Sequence, residues 1–318
     1  VVANAGMDVA RRMWTLVEPL HAVTYFAPQA RAAFEAAGLR GFWRGYFAGR
    51  AAPLGAVGPG PVCATFFGFA PAMVRRALPD VWSRATPAAA LAARLDGARA
   101  ALTAALPGVP ADHLAQAAAA LRRAAEAAGA DFAGRPLAAA NAGLPWPDDP
   151  VGTLWHAATV LREHRGDGHV AALLVAGLDG VESLVWRASL DSSRDVLQPP
   201  RGWTDEQWEA AAERLTARGW LAGGAATAPA HAARDRVERR TDELAAAPWR
   251  ALGPDATARL AGLLEPVAAA AGRVLPFPNP IGLPALGGAD RARAAAARET
   301  PRAGSHRPGD RGNGGIHA

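Results

Sequence analysis

Glu163-His164-Arg165-Gly166-Asp167-Gly168-His169 is the densest run of chemically active side chains in the sequence. Five of its seven residues carry charge or can ligate a metal, and it lies between two apolar helical stretches. The two histidines are five apart with two glycines between them, so they do not share one helical face as in a helix-borne zinc motif. The Gly-Asp-Gly centre reads as a turn, and Asp167 stands where a helix N-cap belongs, just before His169-Val170-Ala171-Ala172. A histidine in a first helical turn loses its proton readily, because the positive dipole end disfavours imidazolium. On that reading His164 and His169 are the candidate acid/base groups, and Glu163, Arg165 and Asp167 are candidate ligand contacts. The plainer alternative is a capped turn in which Arg165 pairs with Glu163 or Asp167. A metal ion would need a third ligand, His21 or His156, to converge from elsewhere, so no metal site and no cofactor is expected.

A second group of residues suits binding rather than reaction. Tyr25, Phe26, Phe34, Phe42, Trp43, Tyr46, Phe47, Phe66, Phe67 and Phe69 include both tyrosines and nearly half of all the aromatics. On a helix Phe42, Tyr46 and Arg50 share one face, with Trp43 and Phe47 close to it. Aromatic rings beside an arginine can line an apolar pocket and grip an anionic group, with Gly45, Gly49 and Gly55 thinning its wall. Tyr25, Trp43, Tyr46, Phe47, Arg50 and Phe66 are therefore candidate ligand-binding residues. The alternative for the same stripe is ordinary core. No Ser-His-Asp order, phosphate-cradling glycine loop or nucleotide fingerprint accompanies either group.

Helices must position both groups. Residues 120–128 and 204–218 have apolar positions at three- and four-residue spacing with Arg and Glu between them. Strand-like pieces are confined to short ones near 221–227. The 318 residues suffice for about two domains, and half of them are apolar, which is ample for real cores. All 34 basic residues are arginine, a coding bias more than an electrostatic device. The net charge of +5 shrinks further on inspection, because the segment from Gly288 holds six arginines against Asp290, Glu299 and Asp310. A body near +2 is a poor footprint for a strongly electrostatic nucleic-acid binder. Cys63 is alone, which excludes a disulfide framework within one chain. No uninterrupted apolar run approaches a membrane span and no secretory pattern opens the chain, so a soluble, cytoplasmic protein is expected, with Met7 as a candidate first residue. From about 289 the sequence reads as a disordered tail, and truncation after Gly288 should shift melting by no more than about a degree or two.

The chain also repeats itself at a period of about 110–120 residues. Phe42-Trp43 followed by Arg50 is echoed by Leu154-Trp155 followed by Arg162. Val62-x-Ala64-x-Phe66-Phe67 is echoed by Val170-x-Ala172-x-Leu174-Val175, and Trp82 with Thr86 by Trp203 with Thr204. Matches in constant order favour an ancient duplication whose halves divide near 133–136. The expected organisation is a first half over 8–134, a second over 135–275 and a tail over 276–318. In the second half Thr204-Asp205-Glu206 starts a helix that stops at Gly219. Trp220-Leu221, a Gly-Gly turn, Ala225–Thr227 and a long Arg/Glu helix from about Pro229 follow.

Helix, "RLTARGWL", short wing and long helix is the order seen in MarR-type regulators. The chain resembles an actinobacterial family of MarR-like helix-turn-helix proteins over roughly residues 10–275. The segments that carry the resemblance are "GLRGFWRGYFAGRAAPLG" (38–55), "LPWPDDP" (144–150), "REHRGDGHVAAL" (162–173) and "RTDELAAAPW" (240–249). The implied fold is mainly α, with two winged helix-turn-helix halves fused in tandem about a pseudo-two-fold axis, the first half having lost its wing. The resemblance further implies a small-molecule ligand held between terminal helices and DNA-binding lobes, in a monomer that mimics a dimer or in a homodimer, and no membrane partner. DNA would be read by Gln207, Arg214 and Arg218. Against that stand Asp205, Glu206, Glu209 and Glu213 on the same helix, which would face phosphate oxygens, and a wing without one arginine. A regulatory-type protein that binds a partly aromatic or apolar ligand, with weak or lost DNA affinity, is the leading expectation. The alternatives are a repurposed enzyme using His164 or His169, with Arg50 or Arg165 holding an anionic substrate, and a conventional DNA-binding transcriptional regulator.

Overall fold

Prolines and caps punctuate the first part of the chain. The computed structural model describes residues 2–129, 132–276, 279, 281 and 283, with side chains from residue 9 onward. After α1 (Val2–Phe26) come α2 (Pro28–Ala36), α3 (Phe42–Ala51), a 3-10 turn (Ala52–Leu54), α4 (Pro59–Thr65), α5 (Pro71–Ala77) and α6 (Val81–Arg84). Next are α7 (Pro87–Ala105) and α8 (Ala111–Ala128). Proline opens α2, α4, α5 and α7, where its missing N–H costs nothing. Thr86 caps α7 by accepting a hydrogen bond from the Ala89 N–H at 3.1 Å. Among the described residues no strand separates α7 from α8.

The second part begins with α9 (Pro136–Ala142) and α10 (Pro150–Val175), followed by α11 (Gly180–Ala188), α12 (Arg194–Leu197) and a 3-10 turn (Pro199–Arg201). Then come α13 (Asp205–Ala217), β1 (Leu221–Ala222), β2 (Ala225–Ala226), α14 (Ala228–Ala245), α15 (Ala247–Leu252) and α16 (Pro254–Gly272). Thr204 and Gln207 form a reciprocal capping box that starts α13. Gly219, at φ +77°, ends the helix and turns the chain into β1. Leu221 pairs with Ala226 and Ala222 with Ala225, closed by Gly223 and Gly224, both at positive φ as a tight hairpin turn requires. Helix α13 lies against α11, and Trp208, Ala211 and Leu215 join Val181, Val185 and Val237 in one small core. This is a helix-turn-helix with a short wing.

Helix α10 is the axis of the molecule. It packs against α1, α7, α8, α9 and α14, and is buried on all sides around Leu154, Trp155 and Val160. The largest core combines α1, α7, α8, α10 and α16, so residues from both ends of the sequence share it. Two close approaches dock the winged unit onto the aromatic part. A Cβ on Gly180 would fall 2.1 Å from the Phe67 carbonyl oxygen, and one on Gly202 2.7 Å from Met73. The indole N–H of Trp203 donates to Gly68 O at 2.9 Å, and the Ala70 N–H to Arg201 O at 2.9 Å.

Two expectations change. Residues 163–169 are not a turn between helices but the interior of α10. Gly166 and Gly168 lower helix propensity by about 1 kcal/mol each, far less than the burial around them supplies. A Cβ at Gly168 would meet the Arg135 guanidinium at 2.8 Å and Leu244 at 3.2 Å, so this glycine serves a close approach rather than a bend. The residues before Met7 are part of α1 from Val2 onward. The disordered tail expected from about 289 lies outside the described residues. Past α16, Leu275 and Leu283 are buried with Ala22, beside Trp14, Tyr25 and Phe26. No single described helix is long and apolar enough to cross a membrane. The pair α10 and α11 reaches that length only across a 92° bend.

Candidate functional site

Between α1, α3, the α4–α5 connection, α10, α11 and α14 lies a cavity of about 740 Å³. One wall is aromatic. Trp43 and Tyr46 on α3 meet at 5.7 Å between ring centroids, Tyr46 and Phe69 at 5.4 Å, and Tyr25 of α1 lies 5.1 Å from Tyr46. Gly45 and Gly49 set this wall, because a Cβ on either would strike the Phe34 ring at 2.9 and 2.4 Å. They seat Phe34 beneath α3 and do not thin the wall of the large cavity. Trp14, Phe66 and Trp186 complete the ring of aromatics.

The polar part of the wall is built on Glu163. Arg50 of α3 reaches it with two hydrogen bonds of 3.1 and 3.2 Å, and Arg162 with a third of 2.9 Å. Arg162 also reaches Glu18 at 3.3 Å, and Glu18 accepts from the Trp14 indole at 3.1 Å. Burial alone would raise the Glu163 pKa, yet Arg162 and Arg50 hold it well below the usual carboxylate range. Arg50 lies 4.2 Å over the Phe66 ring and donates to Tyr46 OH at 3.3 Å. Beside it, the Thr159 hydroxyl donates to Trp155 O at 2.9 Å, so His21 Nδ1–H donates to Thr159 Oγ1 at 2.9 Å. His21 Nε2 then accepts from Tyr25 OH at 2.8 Å. Burial, reinforced by Arg162, keeps His21 neutral with its pKa well below the usual value.

On α10 the polar run has different partners from those expected. Arg165 pairs with Asp242 of α14 at 2.7 Å rather than with Glu163 or Asp167, and Arg11 joins the same Asp242 and Glu238. Asp167 caps a helix, but that helix is α9. Its Oδ2 accepts from the Leu137 and Ala138 N–H groups at 3.0 Å each. Burial pushes its carboxyl up to about 6. His169 does not sit in a first turn, so the helix dipole is not what discharges it. Burial lowers its pKa to about 4. Thr241 donates its hydroxyl hydrogen to Val237 O at 2.8 Å, so His169 Nδ1–H donates to Thr241 at 3.0 Å, leaving the Nε2 lone pair unused among the described residues.

Of the sequence-derived ligand residues, Tyr25, Trp43, Tyr46, Arg50, Phe66, Arg165, Asp167 and His169 line the cavity. Phe47, Glu163 and His164 do not. Phe47 is a fully buried ring behind Trp43 and Tyr46, Glu163 lies beneath its two arginines, and His164 is buried in the helix packing. Sequence reasoning missed Trp14, Glu18 and Arg162, although the four-residue spacing of Trp14 and Glu18 on one helix face was there to be read. It also missed Arg187, Arg234 and Arg201, which sit on the winged side of the cavity. Arg187 and Arg234 both pair with Asp191. Arg201 instead lies 4.4 Å over the Phe69 ring. Among the described residues no three His, Cys, Asp or Glu side chains converge as a metal site would need.

The three DNA-reading candidates on α13 are occupied within the winged unit. Gln207 closes the capping box with Thr204. Arg214 binds Glu182 at 2.7 Å and Asp179 at 2.8 Å, tying α13 to the start of α11. Arg218 donates to the Gly177 and Ala176 carbonyls and lies 4.9 Å over the Trp220 ring. Glu206 and Glu213 remain on the exposed face, and Asp205 and Glu209 are matched by Arg194.

Set against known proteins, residues 10–276 match a helix-turn-helix family. No curated protein and no solved structure matches the chain. The family match spans α10 and the shared core as well as the α11–α13 unit, so it describes the assembly and not an isolated DNA-reading module. The chain belongs to this helix-turn-helix family.

Proposed function

We propose that this is a regulatory-type protein that holds a small, partly aromatic or apolar ligand in the cavity between its two halves, with DNA affinity weak or lost. The observation that carries the reading is the cavity itself. Its volume of about 740 Å³ suits an organic molecule, and its walls combine a continuous aromatic surface with a few convergent polar groups. A MarR-like, internally duplicated origin is supported by the parallel succession of α3–α4, α5, α6, α7, α8 and α10, α11, α12, α13, α14. Arg50 and Arg162, which the sequence repeat aligns, also meet on the same Glu163. In this reading the chain acts as its own dimer in the cytoplasm. The occupied arginines and exposed acids of α13 support weak DNA affinity.

A second reading, an enzyme, is favoured by one observation. His169 is on the cavity wall as a neutral imidazole with its Nε2 lone pair unused, the state a general base requires. Mass spectrometry of small molecules released from the purified protein tests the binding proposal directly. A stoichiometric aromatic or apolar compound is expected, and Trp43→Ala or Tyr46→Ala should reduce its yield. A protein that releases nothing and shows no saturable binding of small aromatics would sink the reading.

A further inference from the structure

Six of the seven arginines on the cavity wall have a carboxylate partner. Arg201 has none: among the described residues its guanidinium makes no hydrogen bond and no ion pair, and it lies over the face of Phe69 at 4.4 Å. Its backbone is held firmly, with Arg201 O accepting from the Ala70 N–H at 2.9 Å and Arg201 N–H donating to Gln198 O at 3.1 Å. The side chain is only half-buried by surface area because it opens onto the cavity. Burial and the neighbouring Arg50, Arg187 and Arg162 nevertheless lower its pKa. An unpaired cation in such a place costs folding free energy that an apolar side chain stacked on Phe69 would not.

We infer that Arg201 is the anion anchor of this cavity, and that the ligand is a monoanion, a carboxylate or a group of similar shape, on an aromatic or apolar body. The single charge follows from there being one arginine on the wall, Arg201, without a carboxylate partner among the described residues. Arg50 and Arg165, the arginines that the sequence singled out, are already neutralised by Glu163 and Asp242, so neither has a fork free for a ligand. One guanidinium offers two parallel N–H donors, which match one carboxylate. Phe69 holds the guanidinium plane from one side, leaving its edge for the anion. Tyr46, 5.4 Å from Phe69 between centroids, presents an aromatic surface next to that edge for the body of the ligand. This inference rests on the cavity being a binding site.

The test uses matched pairs that differ only in charge: 1-naphthoate with 1-naphthamide and indole-3-acetate with indole-3-acetamide, titrated by calorimetry into the full chain. The wild type should bind each carboxylate at least about ten-fold more tightly than its amide. Arg201→Met should bring that ratio near one while leaving the amide affinity unchanged, and Arg201→Lys should retain part of it. Arg201→Met without ligand should melt no lower than the wild type, since it removes an unpaired charge and keeps an apolar stem on Phe69. Amide and carboxylate binding equally to the wild type, or discrimination surviving in Arg201→Met, would overturn the anchor and leave the cavity reading standing. A wild type that binds neither member of either pair would overturn both. A large fall in the melting temperature of unliganded Arg201→Met would assign the side chain to structure and also overturn the anchor.

Discussion

Glu163 organises the polar wall of the cavity without lining the cavity itself. Its two oxygens pair with Arg50 and Arg162, which come from helices more than a hundred residues apart in sequence. Removing it leaves the enclosed Arg50 without a carboxylate and Arg162 with Glu18 alone. Glu163→Ala should therefore cost about 3–5 kcal/mol in a urea melt, far above the ordinary surface substitution. A cost under about 1 kcal/mol would mean that solvent reaches both arginines freely. The buried histidines define a pH window. His156 and His169 are both lowered to about 4 by burial, and His21 lies well below its usual value. Each is neutral in the folded state and charges readily when unfolded. They cost nothing above about 6.5, and the penalty accumulates as pH falls toward about 4, at about 3 kcal/mol for each of the two. Asp167 works the other way. Its folded pKa is raised to about 6, so its contribution favours the fold at low pH and fades as pH rises through that value. One carboxyl offsets roughly one histidine, so three histidines prevail. Urea midpoints should fall steeply between pH 6.5 and 4.5, and His169→Gln should flatten that slope while still donating to Thr241. A flat profile would contradict the neutral imidazoles.

Among the elements, α10 and α13 illustrate opposite relations between sequence and partners. Helix α10 has its polar run inside the helix because four of its polar side chains find partners on other elements: Asp167 on α9, Arg165 and His169 on α14, Glu163 on α3. Asp167→Ala should loosen α9 at a cost of about 0.5–2 kcal/mol, read as faster hydrogen exchange at residues 137–142. Unchanged exchange there would show that α9 does not depend on the cap. The α11 start is more sensitive. Gly180→Ala places a methyl 2.1 Å from the Phe67 carbonyl, a backbone atom that cannot swing away. Separation of the winged unit from the aromatic α3–α5 region is expected, seen as faster exchange across α11–α14 and a stability loss of about 1–3 kcal/mol.

Nucleic-acid affinity is set by the charge arrangement of the whole molecule. Arg214 and Arg218 hold the winged unit together, and the exposed part of α13 carries Glu206 and Glu213, which make no ion pair among the described residues. Fluorescence anisotropy with mixed-sequence duplexes should show weak binding at about 50 mM salt that disappears by about 200 mM, with little preference between sequences. Arg214→Ala and Arg218→Ala should leave that signal nearly unchanged and lower the melting temperature instead. A specific complex that survives the higher salt and is lost in Arg214→Ala would restore α13 as a reading helix.

The sequence by itself determined the local elements of this protein. Thr204, Gln207 and Gly219 bound α13, the Gly223-Gly224 pair shapes the wing, and the three- and four-residue spacing from Phe42 to Arg50 puts those residues on one face of α3. All of these are short-range effects of capping, positive φ and helical periodicity. The helix-turn-helix character was legible for the same reason. Only the tertiary structure decided what the polar residues do. Gly166 and Gly168 signal a turn locally, but burial and the close approach of Arg135 and Leu244 hold them in a helix. Arg50 and Arg165 looked available for an anion until Glu163 and Asp242 arrived from distant segments to neutralise them. Arg201, in a short turn with no periodicity, gave no local sign of a role. Whether an arginine is paired depends on which carboxylates the packing brings within about 4 Å, and spacing along the chain carries almost no information about that.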